Sequence, residues 1–277
     1  MTVKKRVIYR VNISPTGKWS GKRKNSVWNI NQDFFEDALK NIFTPRLERY
    51  AASVGADLIT INKFDYDALK IERRTWFYRA ANCMKFYALK DAYQRGYEDF
   101  LLVDNDIFIS QKSEDIFKET KKNSFYMKPT NKLNMGLVDV AKRHYNFDLT
   151  QTWNGGVILA RGKALESLVK SMPLSMYDFF ERITWSKGYS FKVGKKALHN
   201  SCPEGYAASD EIVFPFLALK SKIKLEALGS EWNRLVGLKK PNAIWKNAKN
   251  ANFLHFASRS KKLLTNEFFL KKLLLKF

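Results

Sequence analysis

The stretch Phe100-Leu101-Leu102-Val103-Asp104-Asn105-Asp106-Ile107-Phe108-Ile109 constrains the fold of this chain more than any other. Four apolar residues run into two acids separated by one residue, and three more apolar residues follow. The first half reads as a strand buried on both faces, as in a parallel sheet covered by helices. Such a strand cannot keep carboxylates along its length, so Asp104 and Asp106 belong where it emerges, at its carboxyl end. That end is the edge of an open α/β sheet at which ligands bind. Two carboxylates placed there repel unless something positive lies between them, and a divalent cation is the commonest answer. An acidic turn after a strand would produce the same tripeptide, so the rest of the chain has to decide.

The segments before it support a parallel sheet. Arg6 to Val11 reads as a first strand, followed by a polar Gly/Ser/Lys/Arg-rich loop from Ser14 to Ser26. Phe35, Ala38, Leu39 and Ile42 repeat at helical spacing within Asn31 to Val54; Pro45 interrupts and Gly55 closes. Leu58 to Ile61 is a second strand, and Thr75 to Gln94 a long helix ended by Gly96. Strand, helix, strand, helix, strand is the order of a parallel α/β sheet.

The second half is less regular. Trp153 to Ala160 puts a polar glycine turn before an apolar strand, Leu174 to Trp185 reads as a helix, and Ser186 to Tyr206 as a long basic loop. Ser209 caps a helix opening on Asp210-Glu211, Ile223 to Leu228 is a strand, and Asn252 to Phe256 is a last short one. From Thr265 a basic amphipathic helix places Leu270, Leu273, Leu274 and Phe277 on one face beside Lys271, Lys272 and Lys276. The expected organisation is a mostly parallel α/β domain over 1–262 and a C-terminal helix over 263–277.

Charge is the outlier in composition. Lys and Arg number 49 against 27 acids, a formal +22 over 277 residues, which attracts polyanions such as nucleic acid or an anionic membrane surface. The 45% hydrophobic content belongs to a folded chain, and no apolar run approaches the length of a membrane span. The basic N-terminus lacks the apolar centre of a signal peptide. Cys83 and Cys202 have no paired spacing and read as reduced thiols of a cytoplasmic protein, in the host cell if virus-encoded.

Phosphatases of the haloacid dehalogenase type also put two acids after a strand, but need Thr where this chain has Phe108; topoisomerase-primase modules carry such a pair too. Five landmarks in order go further. They are Asp104-Asn105-Asp106, Asn154-Gly155-Gly156 before a strand, Asp210-Glu211 opening a helix, Trp232-Asn233 after a late strand, and His255 with Ser258 three on and Lys261 six on. Over roughly residues 6 to 262 the chain resembles the GT-A glycosyltransferases, most closely the retaining family 8 branch. Glu211 stands where that family usually has Gln, Ser258 where it has Gly, and Lys262 where Pro is common.

The resemblance implies a nucleotide-sugar donor, UDP-linked, and Mn²⁺ or Mg²⁺ held by Asp104, Asp106 and His255 against the donor diphosphate. It puts Lys261 on the same diphosphate, and Asn105, Asn154, Gly155 and Gly156 along the donor. Lys85, on the helix before the acidic strand, is expected to reach the donor, with Arg79 and Lys90 competing for that place, and Tyr9 and Arg10 to touch the nucleotide by fold position. Asp210 and Glu211 are the catalytic candidates. If configuration is retained, the leaving diphosphate takes the acceptor proton; if inverted, one of these acids is the general base.

The acceptor is open between classes. Dispersed positive charge favours a hydroxymethylated base in DNA, presented by base flipping. The alternative is a surface polysaccharide or glycolipid, with the C-terminal helix lying against a membrane. A non-catalytic polyanion-binding protein is a third reading. On the DNA reading, duplex affinity falls with salt at a slope of about 0.9 per neutralised phosphate in log units. Neutralising Lys22, Arg23 and Lys24 together, or Lys195 and Lys196 together, is then expected to flatten that slope and slow transfer while donor hydrolysis continues. Sugar attached to the base, sought by mass spectrometry of digested nucleosides, separates the DNA reading from the glycan one.

Overall fold

The computed structural model describes residues 5–12, 32–62, 80–172, 189–193, 196–202, 209–236, 245 and 249–277. A six-stranded sheet forms the centre. Its strands are β1 (Arg6–Val11), β2 (Asp57–Ile61), β3 (Asp99–Asp104), β5 (Phe125–Pro129), β6 (Trp153–Arg161) and β9 (Leu225–Ala227), in the order β2-β1-β3-β6-β5-β9. The class is mixed α/β with a mostly parallel sheet flanked by helices, as the alternating elements predict. β6 alone is reversed, pairing antiparallel with both β3 and β5. The reversal brings the start of β6 to the same edge as the ends of β1 and β3: Val11 pairs with Asp104, and Val103 with Val157.

Both faces of the sheet are covered, which explains the unbroken apolar run of β3. Phe100 and Leu102 pack with Tyr9 and Ile158 beneath α3 (Ala80–Gln94), α5 (Met135–Tyr145), α6 (Lys163–Lys170) and α7 (Asp210–Lys220). Leu101 and Val103 face the other way, onto Leu47, Tyr50 and Ala51 of α2 (Thr44–Ser53) and onto Ile116 and Phe117 of the single-turn α4 (Ile116–Glu119). Each such side chain contributes about 1.5–3 kcal/mol on burial.

The expected helix over 31–54 is one helical run in three parts, α1 (Gln32–Ala38), a π segment (Leu39–Phe43) and α2. The wide turn sits just before Pro45, which has no N–H to give and whose ring crowds the carbonyl four residues back. The Thr44 N–H accordingly reaches the Leu39 carbonyl. The basic loop expected over 186–206 is instead, where described, a hairpin of β7 (Tyr189–Val193) and β8 (Lys196–Cys202), with Val193 opposite Lys196. The period-two signal is present in β7, where Tyr189, Phe191 and Val193 alternate with Ser190 and Lys192. Residues 13–31, 63–79 and 173–188 lie outside the description, and with them the Ser14–Ser26 loop and the Leu174–Trp185 helix.

A second, three-stranded sheet sits against the carboxyl edge of the first. β4 (Ile107–Ile109) pairs with β11 (Phe253–His255), which pairs with β10 (Arg234–Leu235). The C-terminal helix α8 (Glu267–Lys276) lies on it, burying Phe269, Leu270 and Leu273 beside Phe43, Phe108 and Trp245. Trp245 stacks on Phe269 at 4.9 Å. Arg46 donates to the Phe277 carbonyl at 2.8 Å and the Gln111 N–H to the same oxygen at 2.7 Å. Of the apolar stripe predicted for α8, Leu270 and Leu273 are thus buried against the protein while Leu274 is exposed, and Phe268 and Leu275 also point outward, 76% and 87% exposed. Among the described residues no helix is long and apolar enough to cross a membrane.

One buried ion pair pins the sheet to α4. Arg161 Nε and Nη2 each donate to Asp99 at 3.0 Å, and its Nη1 donates to the Phe117 and Thr120 carbonyls. Removing one member of a buried pair costs about 3–5 kcal/mol, because the other charge is left without a partner. Arg161→Met is expected to lose that much unfolding free energy in urea. A loss under about 1 kcal/mol would show that Arg6, whose Nε lies 3.9 Å from Asp99 Oδ2, takes over the pairing.

Candidate metal and diphosphate site

β3 ends at Asp104, and the chain crosses from the large sheet to the small one through a two-residue turn, Asn105 and Asp106. β11 runs beside β4 with His255 opposite Ile107, and the Phe256 N–H donates to the Asp106 carbonyl at 3.0 Å. Sheet pairing therefore fixes the imidazole next to the second acid. His255 Nε2 lies 3.3 Å from Asp106 Oδ1 and 4.0 Å from Asp104 Oδ2. One ligand atom from each of Asp104, Asp106 and His255 falls within 4.8 Å of the others, a spacing that fits one metal ion.

Two ammonium groups flank these carboxylates. Lys261 Nζ pairs with Asp106 Oδ2 at 2.8 Å. Lys85 Nζ, on α3, pairs with Asp104 Oδ1 at 2.6 Å and Asp210 Oδ2 at 2.5 Å, and donates to the Gly155 carbonyl at 3.0 Å. Burial alone would push the Lys85 ammonium down, but Asp104 and Asp210 hold it above its ordinary value. Lys261 is raised in the same way against burial, by Asp106. Burial pushes the Asp104 carboxyl up, with Asp106 acting in the same direction against Lys85. For Asp106 the burial penalty is outweighed by Lys261 and His255, and its carboxyl sits well below the carboxylate range.

Asp210 is held at the N-terminus of α7, where Ser209 caps the helix. The Glu211 N–H donates to Asp210 Oδ1 at 3.0 Å, and against the cost of burial Lys85 lowers its carboxyl further. Glu211 follows half-buried on the same turn.

The two glycines of β6 explain themselves here. A Cβ at 155 would stand 2.0 Å from Asp210 Oδ2, and one at 156 would stand 2.3 Å from His255 Cε1. The space that the sequence reading gave to the donor at these positions is filled by the Asp210 carboxylate and the His255 ring. Asn154 turns its Oδ1 back onto the Gly156 N–H at 3.0 Å.

Asp104, Asp106, His255, Lys261, Lys85, Asp210, Asn154, Gly155 and Gly156 thus converge from five separate stretches of chain. Asn105 stands at the rim, its Nδ2 donating to Asn12 Oδ1 at 3.3 Å. Tyr9 does not converge with them. It is fully buried on the α3 face, its hydroxyl donates to Asp91 at 2.5 Å, and burial raises it well above an ordinary phenol, so no surface remains for a nucleotide. Arg10 points to the opposite face, buried, with Nη1 on Thr44 Oγ1 at 2.7 Å, and burial lowers it. Odd and even positions of one strand face opposite layers, and neither layer is the site.

Sequence reasoning missed Asn12 and Asn62, which join Asn105 in a row of amides (Asn12 Nδ2 to Asn62 Oδ1, 3.1 Å) at the ends of β1, β2 and β3. Each closely follows the end of an apolar run, a usable signal. Asn233 was noted only as part of a motif, yet its Oδ1 lies 3.0 Å from His255 Nδ1 and its Nδ2 donates to Asn154 Oδ1 at 2.8 Å. Lys128 was also missed; its Nζ donates to the Asn233 carbonyl at 2.6 Å.

No family model and no curated protein matches this chain. Among solved structures it is similar to a glycosyltransferase involved in the glycosylation of the major capsid of PBCV-1, at 12% identity and TM-score 0.49, over 94% of this chain and 100% of that one. It is similar to mouse xyloside xylosyltransferase 1 in its apo form at 10% identity and TM-score 0.43, over 92% and 98% of the two chains. An active-site mutant of LgtC matches at 11% identity and TM-score 0.44, over 90% and 86%. Likeness at these scores leaves the chemistry to the site's own geometry.

The glycine contacts generate a direct test. Gly156→Ala must turn the His255 ring away from its place, and is expected to weaken Mn²⁺ binding about tenfold or more, read by electron paramagnetic resonance of free Mn²⁺. Gly155→Ala should instead displace the Asp210 carboxylate. Unchanged Mn²⁺ affinity in a folded Gly156→Ala protein would remove His255 from the ligand set.

Proposed function

We propose that this chain is a metal-dependent glycosyltransferase of GT-A type that moves a sugar from a nucleoside-diphosphate donor, UDP-linked, to a hydroxyl acceptor. The observation that carries the reading is Asp106 Oδ1, a buried carboxylate oxygen with no hydrogen-bond partner among the described residues, facing the His255 imidazole. Buried polar atoms are nearly always satisfied, and a carboxylate aimed at an imidazole within reach of a second carboxylate fits a divalent cation. A non-catalytic polyanion binder has no use for such an oxygen.

Asp104, Asp106 and His255 would hold the ion. When bound, Mn²⁺ or Mg²⁺ supplies Lewis acidity to a diphosphate leaving group. Lys261 orients Asp106 through one N–H and has two more to offer an anionic donor. Lys85 has none to spare, since its three protons match Asp104, Asp210 and Gly155, so it positions both carboxylates instead of gripping the donor. Asp210, held ionised by Lys85 against the cost of burial, is a weak base. That supports retention of configuration, with the leaving diphosphate accepting the proton, and leaves Glu211 as the acid next to it on the helix. The formal charge of +22 supports a polyanionic acceptor.

Asp106→Ala is expected to abolish transfer with the fold intact, because it removes a ligand at a turn and no core contact. Chelator should do the same to the wild type, reversed by Mn²⁺. His255→Ala should be partly rescued by added metal and Lys261→Ala should not. UDP release is the readout, with hydroxymethylated DNA, lipid-linked and oligosaccharide acceptors compared side by side. Full activity in chelator overturns the reading.

A further inference from the structure

The imidazole of His255 reaches Asp106 through Nε2, so what matters for metal binding is which ring nitrogen carries the proton. The structure decides this from a distance. The Gly156 N–H points at Asn154 Oδ1, so that atom is an oxygen with its lone pairs turned inward. Asn233 presents its NH₂ to the same oxygen at 2.8 Å, which commits its carbonyl to the other side. That carbonyl lies 3.0 Å from His255 Nδ1. A carbonyl cannot donate, so Nδ1 must, and in the neutral ring, the form that ligates a metal, the lone pair then falls on Nε2, which faces Asp104 and Asp106.

We infer that Asn233 and Asn154 are positioning residues that act as one relay, setting the His255 tautomer from a backbone N–H of β6 so that Nε2 is a ready metal ligand. This deepens the proposed function and rests on its metal reading. Two observations support a relay over simple packing. Asn233 is fully buried, where an amide survives only with its groups matched, and both ends of its side chain are. Nε2 is also the nitrogen turned to the carboxylates, 3.3 Å from Asp106 Oδ1 and 4.0 Å from Asp104 Oδ2, while Nδ1 is taken by Asn233. Gly156 serves twice, since its N–H starts the relay and its missing Cβ gives the ring its room. The relay links β6, the turn before β10, and β11, elements that share no strand pairing with one another except β10 with β11.

The test is a double-mutant cycle read as Mn²⁺ affinity, with Mn²⁺ titrated into the intact chain with and without UDP and free ion followed by electron paramagnetic resonance. Asn233→Leu and Asn154→Leu are each expected to weaken binding about 10- to 100-fold, the range for lost partners of a ligating histidine. The double variant should be no weaker than the poorer single one, because a broken relay cannot be broken again. Asn154→Asp keeps an oxygen for both N–H donors and should retain affinity. Asn233 is buried, so its variants are checked by thermal unfolding; if they do not fold, the half-exposed Asn154 pair tests the same relay. Additive losses, or equal losses in Asn154→Asp and Asn154→Leu, overturn the inference. Wild-type binding lost in Asp106→Ala but untouched in Asn154→Leu overturns the relay alone. No Mn²⁺ binding by the wild type overturns the metal reading and the relay with it.

Discussion

The ammonium of Lys85 is the group on which the site depends. It is buried, and taking an ammonium and two carboxylates out of water is unfavourable unless geometry and hydrogen bonding are complete. Here they are. Three N–H groups meet Asp104, Asp210 and the Gly155 carbonyl, at 2.6, 2.5 and 3.0 Å. One side chain from α3 thereby fixes the end of β3, the start of β6 and the start of α7. The reversed β6 is what makes the third contact possible, because only a strand entering at that edge can bring a glycine carbonyl there. Glycine is needed at 155 because the Asp210 carboxylate occupies the place of a side chain.

Charge in the cluster is deliberately unequal. Three carboxylates meet two ammonium groups, which leaves one negative charge in a region mostly closed to water. The imbalance falls on the Asp104 and Asp106 side, since Asp210 is shared only with Lys85. Asp104 is the more open of the two, its side chain 26% exposed against 4% for Asp106. A divalent ion would reverse the sign there and make the same place attractive to a diphosphate. Lys261 pairs with the far oxygen of Asp106, which keeps that carboxylate ionised without occupying the oxygen turned to His255.

Much of this was legible in the sequence, for particular physical reasons. The run Phe100–Val103 demanded a strand covered on both faces, and the acids had to lie at its end. Lys85 was legible as a basic residue on the preceding helix, though not its role, because nothing local says that Asp210, 125 residues away, will take one of its protons. Tyr9 and Arg10 were misplaced by one rule: position along a strand gives the edge, but the face comes from parity, and both parities of β1 end in packed layers. Half of the basic hairpin was legible, since Tyr189, Phe191 and Val193 alternate with Ser190 and Lys192 along β7, whereas β8 (Lys196–Cys202) carries no such alternation. Asn233 was invisible as a functional residue because its work is done through another side chain, and short motifs name what touches a ligand more readily than what orients it.

The sequence distance across the Lys85–Asp210 bond bears on how such a chain becomes active. The acidic turn and Lys85 are made early, while His255 and Lys261, which face Asp106, and Asp210, which shares Lys85, come from the last quarter of the sequence. A chain folding as it is made would hold the turn against Lys85 alone until those late segments close over it. Long-range closure of this kind is slow compared with local helix formation. An ion that bound only the finished arrangement would also stabilise it by mass action, so metal supply would act on the yield of folded chain as well as on its chemistry.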